Sequence, residues 1–237
     1  MDWTTPIDGY CERLDPTFWA EPVNAATNAA FLAAALVMAL RLRGAGLPLA
    51  WALTGLVAAT GIGSFLFHTY AQPWAGMADT LPILLFILTG LFAATRDFLG
   101  TSAKVAGLVT LGFFPFAAVT VPLFRLIPGL GGSAGYAPVP LLMVIYAALL
   151  WRRANATARG LLLTAALLTA SITARALDAP LCPVFPLGTH FLWHLLNAAV
   201  LGLMVENYRR HMGLAGAPEG ARTEARPGLT PGRTPPS

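Results

Sequence analysis

The chain has 237 residues, of which 56% are hydrophobic and only 11% charged, and its formal net charge is +4. Soluble domains carry roughly 25% charged residues, so a large soluble domain and a nucleic-acid-binding module are both excluded. The positive balance bears on orientation in a membrane, not on nucleic acid.

Stretches without Asp, Glu, Lys or Arg run over 22–40, 44–78, 80–95, 105–124, 126–151, 160–174 and 179–205. A helix needs about 20 mainly apolar residues to cross a bilayer. Helical spans are therefore expected at 24–43, 48–70, 79–95, 105–124, 136–151, 160–177 and 189–208. The stretches are long and uniformly apolar, unlike the alternating ten-residue strands of a barrel. The expected fold is an all-α integral membrane bundle of seven transmembrane helices.

The first 23 residues form an N-terminal segment with Asp2, Asp8, Glu12, Asp15 and Glu21 against a single Arg13. That is the reverse of a basic leader, so the first span is expected to act as its own insertion signal. Residues 24–208 make the transmembrane domain. Residues 209–237, rich in Gly, Pro, Arg and Thr, read as a disordered tail.

Seven spans put the termini on opposite sides. One side then collects twelve basic residues, from Arg41 and Arg43 through to the tail, and the other only Arg13, Arg125 and Arg175. The positive-inside rule predicts an extracytoplasmic N-terminus and a cytoplasmic C-terminus. Cys11 and Cys182 both fall outside on this topology. They are either unrelated thiols or a disulfide formed in an oxidising compartment.

Ionisable side chains within a bilayer are costly and usually functional. His68 closes the second span, one turn beyond Ser64, and His190 and His194 open the seventh at i and i+4, on one helix face. Asp79 heads the third span. Each has an ordinary alternative: interfacial hydrogen bonding for the histidines, an N-cap for Asp79 with Pro82 in the first turn, helix-packing polarity for Ser64. Gathered at one depth, they read as a site. Three neutral imidazoles leave one position open on tetrahedral zinc, a carboxylate supplies a general base, and a hydroxyl donates to an oxyanion.

These five residues, in this order and spacing, resemble the alkaline ceramidases, part of a membrane hydrolase superfamily that includes the adiponectin receptors. The resemblance covers about residues 8 to 208 and implies a zinc-dependent amidase with ligands His68, His190 and His194. It further implies that Asp79 holds the catalytic water and that Ser64 polarises the scissile carbonyl. Tyr10-Cys11-Glu12 is similar to the family's Trp-Cys-Glu, and Cys182 stands where its partner cysteine lies. The family's N-terminal calcium site would fall here on Asp8, Glu12, Asp15, Glu21 and Asn24. The pattern departs at Gly9 and Leu14, with acidic residues displaced by one position, although five acidic side chains in 21 residues suit a hard cation.

The expected function is hydrolysis of ceramide or a related N-acyl lipid to fatty acid and amine, the substrate entering from the bilayer. The alternative is a zinc-containing lipid sensor or receptor without turnover. A transporter or haem protein is disfavoured, because no ionisable path leads inward from the histidines. The 14-to-1 excess of Arg over Lys points to a bacterial inner membrane, with the site near its extracytoplasmic face. Arg175 and Asp178 are expected to pair, as are Glu206 and Arg209 or Arg210. His211 is read as part of a solvated basic patch, and Trp3, Trp19, Tyr70 and Trp74 as an interfacial belt.

Overall fold

The structure, a computed structural model, describes residues 2–215. No strand occurs among them. Two helices, α1 (Pro22–Thr27) and α2 (Ala29–Arg41), make the first rod, interrupted at the buried Asn28. Then follow α3 (Pro48–Tyr70), α4 (Pro73–Ala93), α5 (Ala103–Leu111), α6 (Phe113–Phe124), α7 (Pro138–Leu150), α8 (Asn155–Leu181) and α9 (His190–Ala215). The last turn of α4 widens into a π-helical turn over Ala94–Phe98, and α5 and α6 share one rod that breaks at Gly112.

Six of the seven rods are long and apolar enough to span a bilayer. The seventh, α9, is more polar because it carries His190, His194, Asn197, Glu206 and Asn207. All five are buried. It packs against α2, α3 and α8, so these side chains face other helices, where polar groups can be partnered. The outer rod α5–α6 does the opposite, exposing Leu108, Leu111, Val119 and Leu123, as a lipid-facing surface requires. The molecule is an all-helical membrane bundle.

Several boundaries differ from expectation, among them α8, which runs over Asn155–Leu181 where 160–177 was expected. The helix expected from 79 begins at Pro73, whose fixed φ and missing N–H suit a first helical position. Asp79 is therefore almost two turns inside α4 and is not its N-cap, and Pro82 is interior. At the other end α9 continues to Ala215, so residues 209–215 are helical. The rest of the expected tail lies outside the described residues.

Candidate metal centre

Each element brings one or two polar side chains to a common point. The α3–α4 crossing is set by Gly63. A methyl group there would collide with the Ala78 carbonyl, which has no helical donor because residue 82 is proline. The bare glycine lets the two backbones touch, and this brings the turn that carries Ser64 against the α4 backbone at Ala78 and Asp79, whose side chain is half-buried.

His68 lies one turn beyond Ser64 on α3, and His190 and His194 occupy the first turns of α9. All three rings are at most 2% exposed. Their centroids are separated by 5.0 Å (His68 to His190), 4.6 Å (His68 to His194) and 4.6 Å (His190 to His194). One nitrogen from each lies within 4.8 Å of the other two.

The proton positions follow from the outer partners. His68 Nδ1 is 2.6 Å from Glu21 Oε2, and an ionised carboxylate only accepts, so Nδ1 carries the hydrogen. His194 Nδ1 is 2.9 Å from Thr27 Oγ1, whose single proton goes to the Val23 carbonyl at 2.8 Å. That hydroxyl is thus the acceptor for His194 as well. His68 Nε2 and His194 Nε2 are left as bare lone pairs, and both, with His190 Nδ1, are buried without a hydrogen-bond partner. Buried polar atoms are rarely orphaned. Three orphans on three adjacent rings, two of them held in tautomer by outer acceptors, fit a metal ion in the way ligating histidines usually do. The three-histidine group can hold a metal.

The N-terminal segment closes over this group. Cys11 and Cys182 are joined in a disulfide, which leaves neither a thiolate for a metal. Next to it Tyr10 stacks on His190 at 3.6 Å and 20°. Burial pushes its phenol up to about 12, against the pull of Arg175, so Tyr10 stays neutral and is no general base. Although burial acts in the opposite direction, hydrogen bonds from His68, Arg13 and Asn24 hold the Glu21 carboxyl below its ordinary value.

Asp178 and Arg175 hold the site together through partners that their spacing does not indicate. Asp178 does not pair with Arg175. Its Oδ1 accepts from the backbone N–H groups of Thr189 and His190 at 2.7 and 2.9 Å, and its Oδ2 from Cys11 at 3.0 Å. It satisfies the unpaired donors at the start of α9 and ties them to the disulfide. Gly188, at φ +68°, makes the turn into α9 against this carboxylate, where no side chain fits. Arg175 instead donates to Ser133 Oγ at 2.9 Å and Tyr10 Oη at 3.2 Å, beneath the rings of Tyr136 and Trp193.

The five residues expected to bind calcium do not form one cage. Glu12 accepts from the Val23 and Asn24 N–H groups, Asp15 from Thr17, and Glu21 from Arg13, His68 and Asn24. Asp8 is exposed. Among the described residues, the atoms of these five that accept no hydrogen bond are the Asp8 carboxylate, Asp15 Oδ2 and Asn24 Oδ1, and Asp8 and Asp15 are exposed while Asn24 is buried. At the opposite end Glu206 pairs with Arg209 and Arg210, as expected, and also with Arg41. His211 is half-buried against Thr157 Oγ1, not part of a solvated patch.

A narrow apolar cavity of about 90 Å³ opens among α4, α7, α8 and α9, lined by Phe86, Gly90, Met143, Trp193 and Asn197 among others. Asn197 lies one turn beyond His194 on α9, and Trp193 precedes His194 in sequence, so the helix that carries two of the histidines also lines the cavity.

A family model described as ceramidase matches residues 7–212, which takes in the N-terminal segment, the disulfide and all seven rods. The chain belongs to the ceramidase family. No curated protein matches it. As a ceramidase family member it is a hydrolase of amide bonds in lipids, and the three-histidine group is the candidate place for that chemistry.

Proposed function

We propose that this ceramidase family member is a zinc-dependent intramembrane amidase that cleaves ceramide or a related N-acyl lipid to a fatty acid and an amine. The supporting observation is the set of three orphaned imidazole nitrogens, His68 Nε2, His190 Nδ1 and His194 Nε2, and a narrow apolar cavity among the neighbouring helices offers room for part of an acyl chain. His68, His190 and His194 would hold the ion. Zinc bound by three neutral imidazoles keeps one position open and supplies a Lewis acid and a water acidified towards neutral pH.

The remaining steps fall to the protein. Ser64 Oγ–H donates to the scissile carbonyl oxygen as negative charge builds on it. The Asp79 carboxylate takes a proton from the attacking water and returns it to the nitrogen of the leaving amine. Part of the acyl chain lies in the cavity, which excludes bulk water and orients the carbonyl. Tyr10, next to the disulfide, covers one face of the His190 ring. The charge asymmetry of the loops supports an N-terminus and a catalytic centre on the extracytoplasmic face, and the Arg-rich composition a bacterial inner membrane.

The test is metal content by mass spectrometry on detergent-purified protein, together with turnover of a ceramide and of other N-acyl lipids. Wild type should carry about one zinc per chain, and His194→Ala should lose both metal and activity. Asp79→Asn should keep the metal and lose at least about 100-fold in turnover. An active Asp79→Asn protein would overturn the assigned role.

A further inference from the structure

Arg13 entered the sequence reading only as a charge to be counted. In the structure it is 6% exposed, the most deeply buried charge in the N-terminal segment after Glu21. Its guanidinium is surrounded by oxygen. Nε donates to Glu21 Oε1 at 2.6 Å, Nη1 to the carbonyls of Asp15 and Thr17 at 3.2 and 3.4 Å, and Nη2 to the carbonyl of His68 at 3.0 Å. Four of its five N–H groups are thereby used. One anionic and three neutral oxygens, drawn from the N-terminal segment and from α3, converge on one positive centre. That is the donor set a hard cation collects, and here an arginine side chain fills it.

We propose that the Arg13 guanidinium is a built-in cation that takes the place of a divalent ion in the N-terminal segment and positions the His68 ligand. It reaches His68 by two routes. One runs through the His68 carbonyl, among the last carbonyls of α3, which has no partner within its own helix and lies at the end that favours positive charge. The other runs through Glu21, whose Oε1 takes the Arg13 bond and whose Oε2 takes the His68 Nδ1 proton. The planar fork fixes the carboxylate, and the carboxylate fixes the ring. A buried carboxylate needs a cation beside it, and a covalently attached one is always present. The calcium ligand set is consequently dispersed, with Glu12 and Asp15 turned to backbone N–H groups.

Two measurements test this. The first takes the wild-type protein as purified and compares its thermal unfolding with excess EGTA and with millimolar calcium, alongside calcium titration by calorimetry. The same midpoint in both and no heat of binding is expected. Stoichiometric calcium binding that raises the midpoint would overturn the proposal. This arm does not depend on the amidase reading, so the two can fail separately.

The second arm rests on the three-histidine site. It follows cobalt binding to metal-stripped protein through the visible absorption of the bound ion. Arg13→Ala should bind cobalt about 10- to 100-fold more weakly, and guanidinium or calcium in millimolar amounts should restore affinity by refilling the vacated oxygen cage. Arg13→Lys, which keeps the charge but not the fork, should fall between. Wild-type cobalt affinity in Arg13→Lys and in any folded Arg13→Ala would show that Arg13 is only an anchor. Should Arg13→Ala fail to fold, the lysine variant and the calcium arm decide.

Discussion

The Glu21 carboxylate accepts the Nδ1 proton of His68 at 2.6 Å across 47 residues of chain. The bond settles which nitrogen of His68 is free, and so links the N-terminal segment directly to the chemistry of α3. Glu21→Gln keeps the size of the side chain but removes the charge that satisfies Arg13 and makes the imidazole basic. We expect metal affinity to drop about 10- to 100-fold, read by the same cobalt titration, together with lower thermal stability from the unpaired buried arginine. Unchanged affinity would mean that the His68 ring is held by its packing alone.

Asp178 offers a test of the outer frame. Three backbone N–H groups, those of Cys11, Thr189 and His190, converge on one carboxylate at the start of α9. Asp178→Ala strands all three in a place with little access to water. Each buried orphan costs about 1–3 kcal/mol, and the losses will not add fully because the turn around Gly188 can relax. A destabilisation of about 2–4 kcal/mol is expected, seen as a lower unfolding midpoint with the disulfide still intact. A midpoint equal to wild type would show that these donors find water instead.

Gly63 sets a distance that no other residue type can. Its Cα faces the Ala78 carbonyl that Pro82 leaves without a helical donor, so Gly63→Ala must push α3 and α4 apart beside Ser64 and Asp79. Activity should fall far more than metal binding, because the three histidines come from α3 and α9 and none from α4, which carries Asp79. A loss of about 100-fold in turnover follows from a displacement near 1 Å. Steady-state kinetics beside metal analysis on the same preparation separate the two effects.

The bundle was readable because lipid imposes a single rule, about 20 apolar residues per crossing, and the spacing of the histidines survived folding intact. The helix start at Pro73 was missed because Asp79 and Pro82 mimic a helix beginning, while the true start, Pro73, follows the loop closely. Pairings across the fold were invisible. Arg175 and Asp178 are three residues apart and look like partners, yet one turns to Tyr10 and Ser133 and the other to α9, since orphan donors at a helix start outcompete a salt bridge. The hydrogen bonds of the acidic segment were hidden for a related reason: acidic residues in a row say nothing of which donors the fold brings to them. Arg13 had the one available signal, a lone base among five acids.

The cavity makes a prediction about chain length. Gly90 lines it from α4, and a Cβ added there meets no atom within 4 Å, so a Gly90→Leu side chain leaves the backbone without a clash and extends into the cavity. Its four carbons would project into space meant for the substrate. Long acyl chains should then bind less well, at about 0.8 kcal/mol for each methylene denied burial, while short chains should be cleaved at the wild-type rate. Competition between N-acyl lipids of graded chain length, read as ratios of kcat/KM, measures this directly. A uniform loss across all lengths would indicate that the substitution disturbs α4 and Asp79. An unaltered preference would place the acyl chain elsewhere in the bundle.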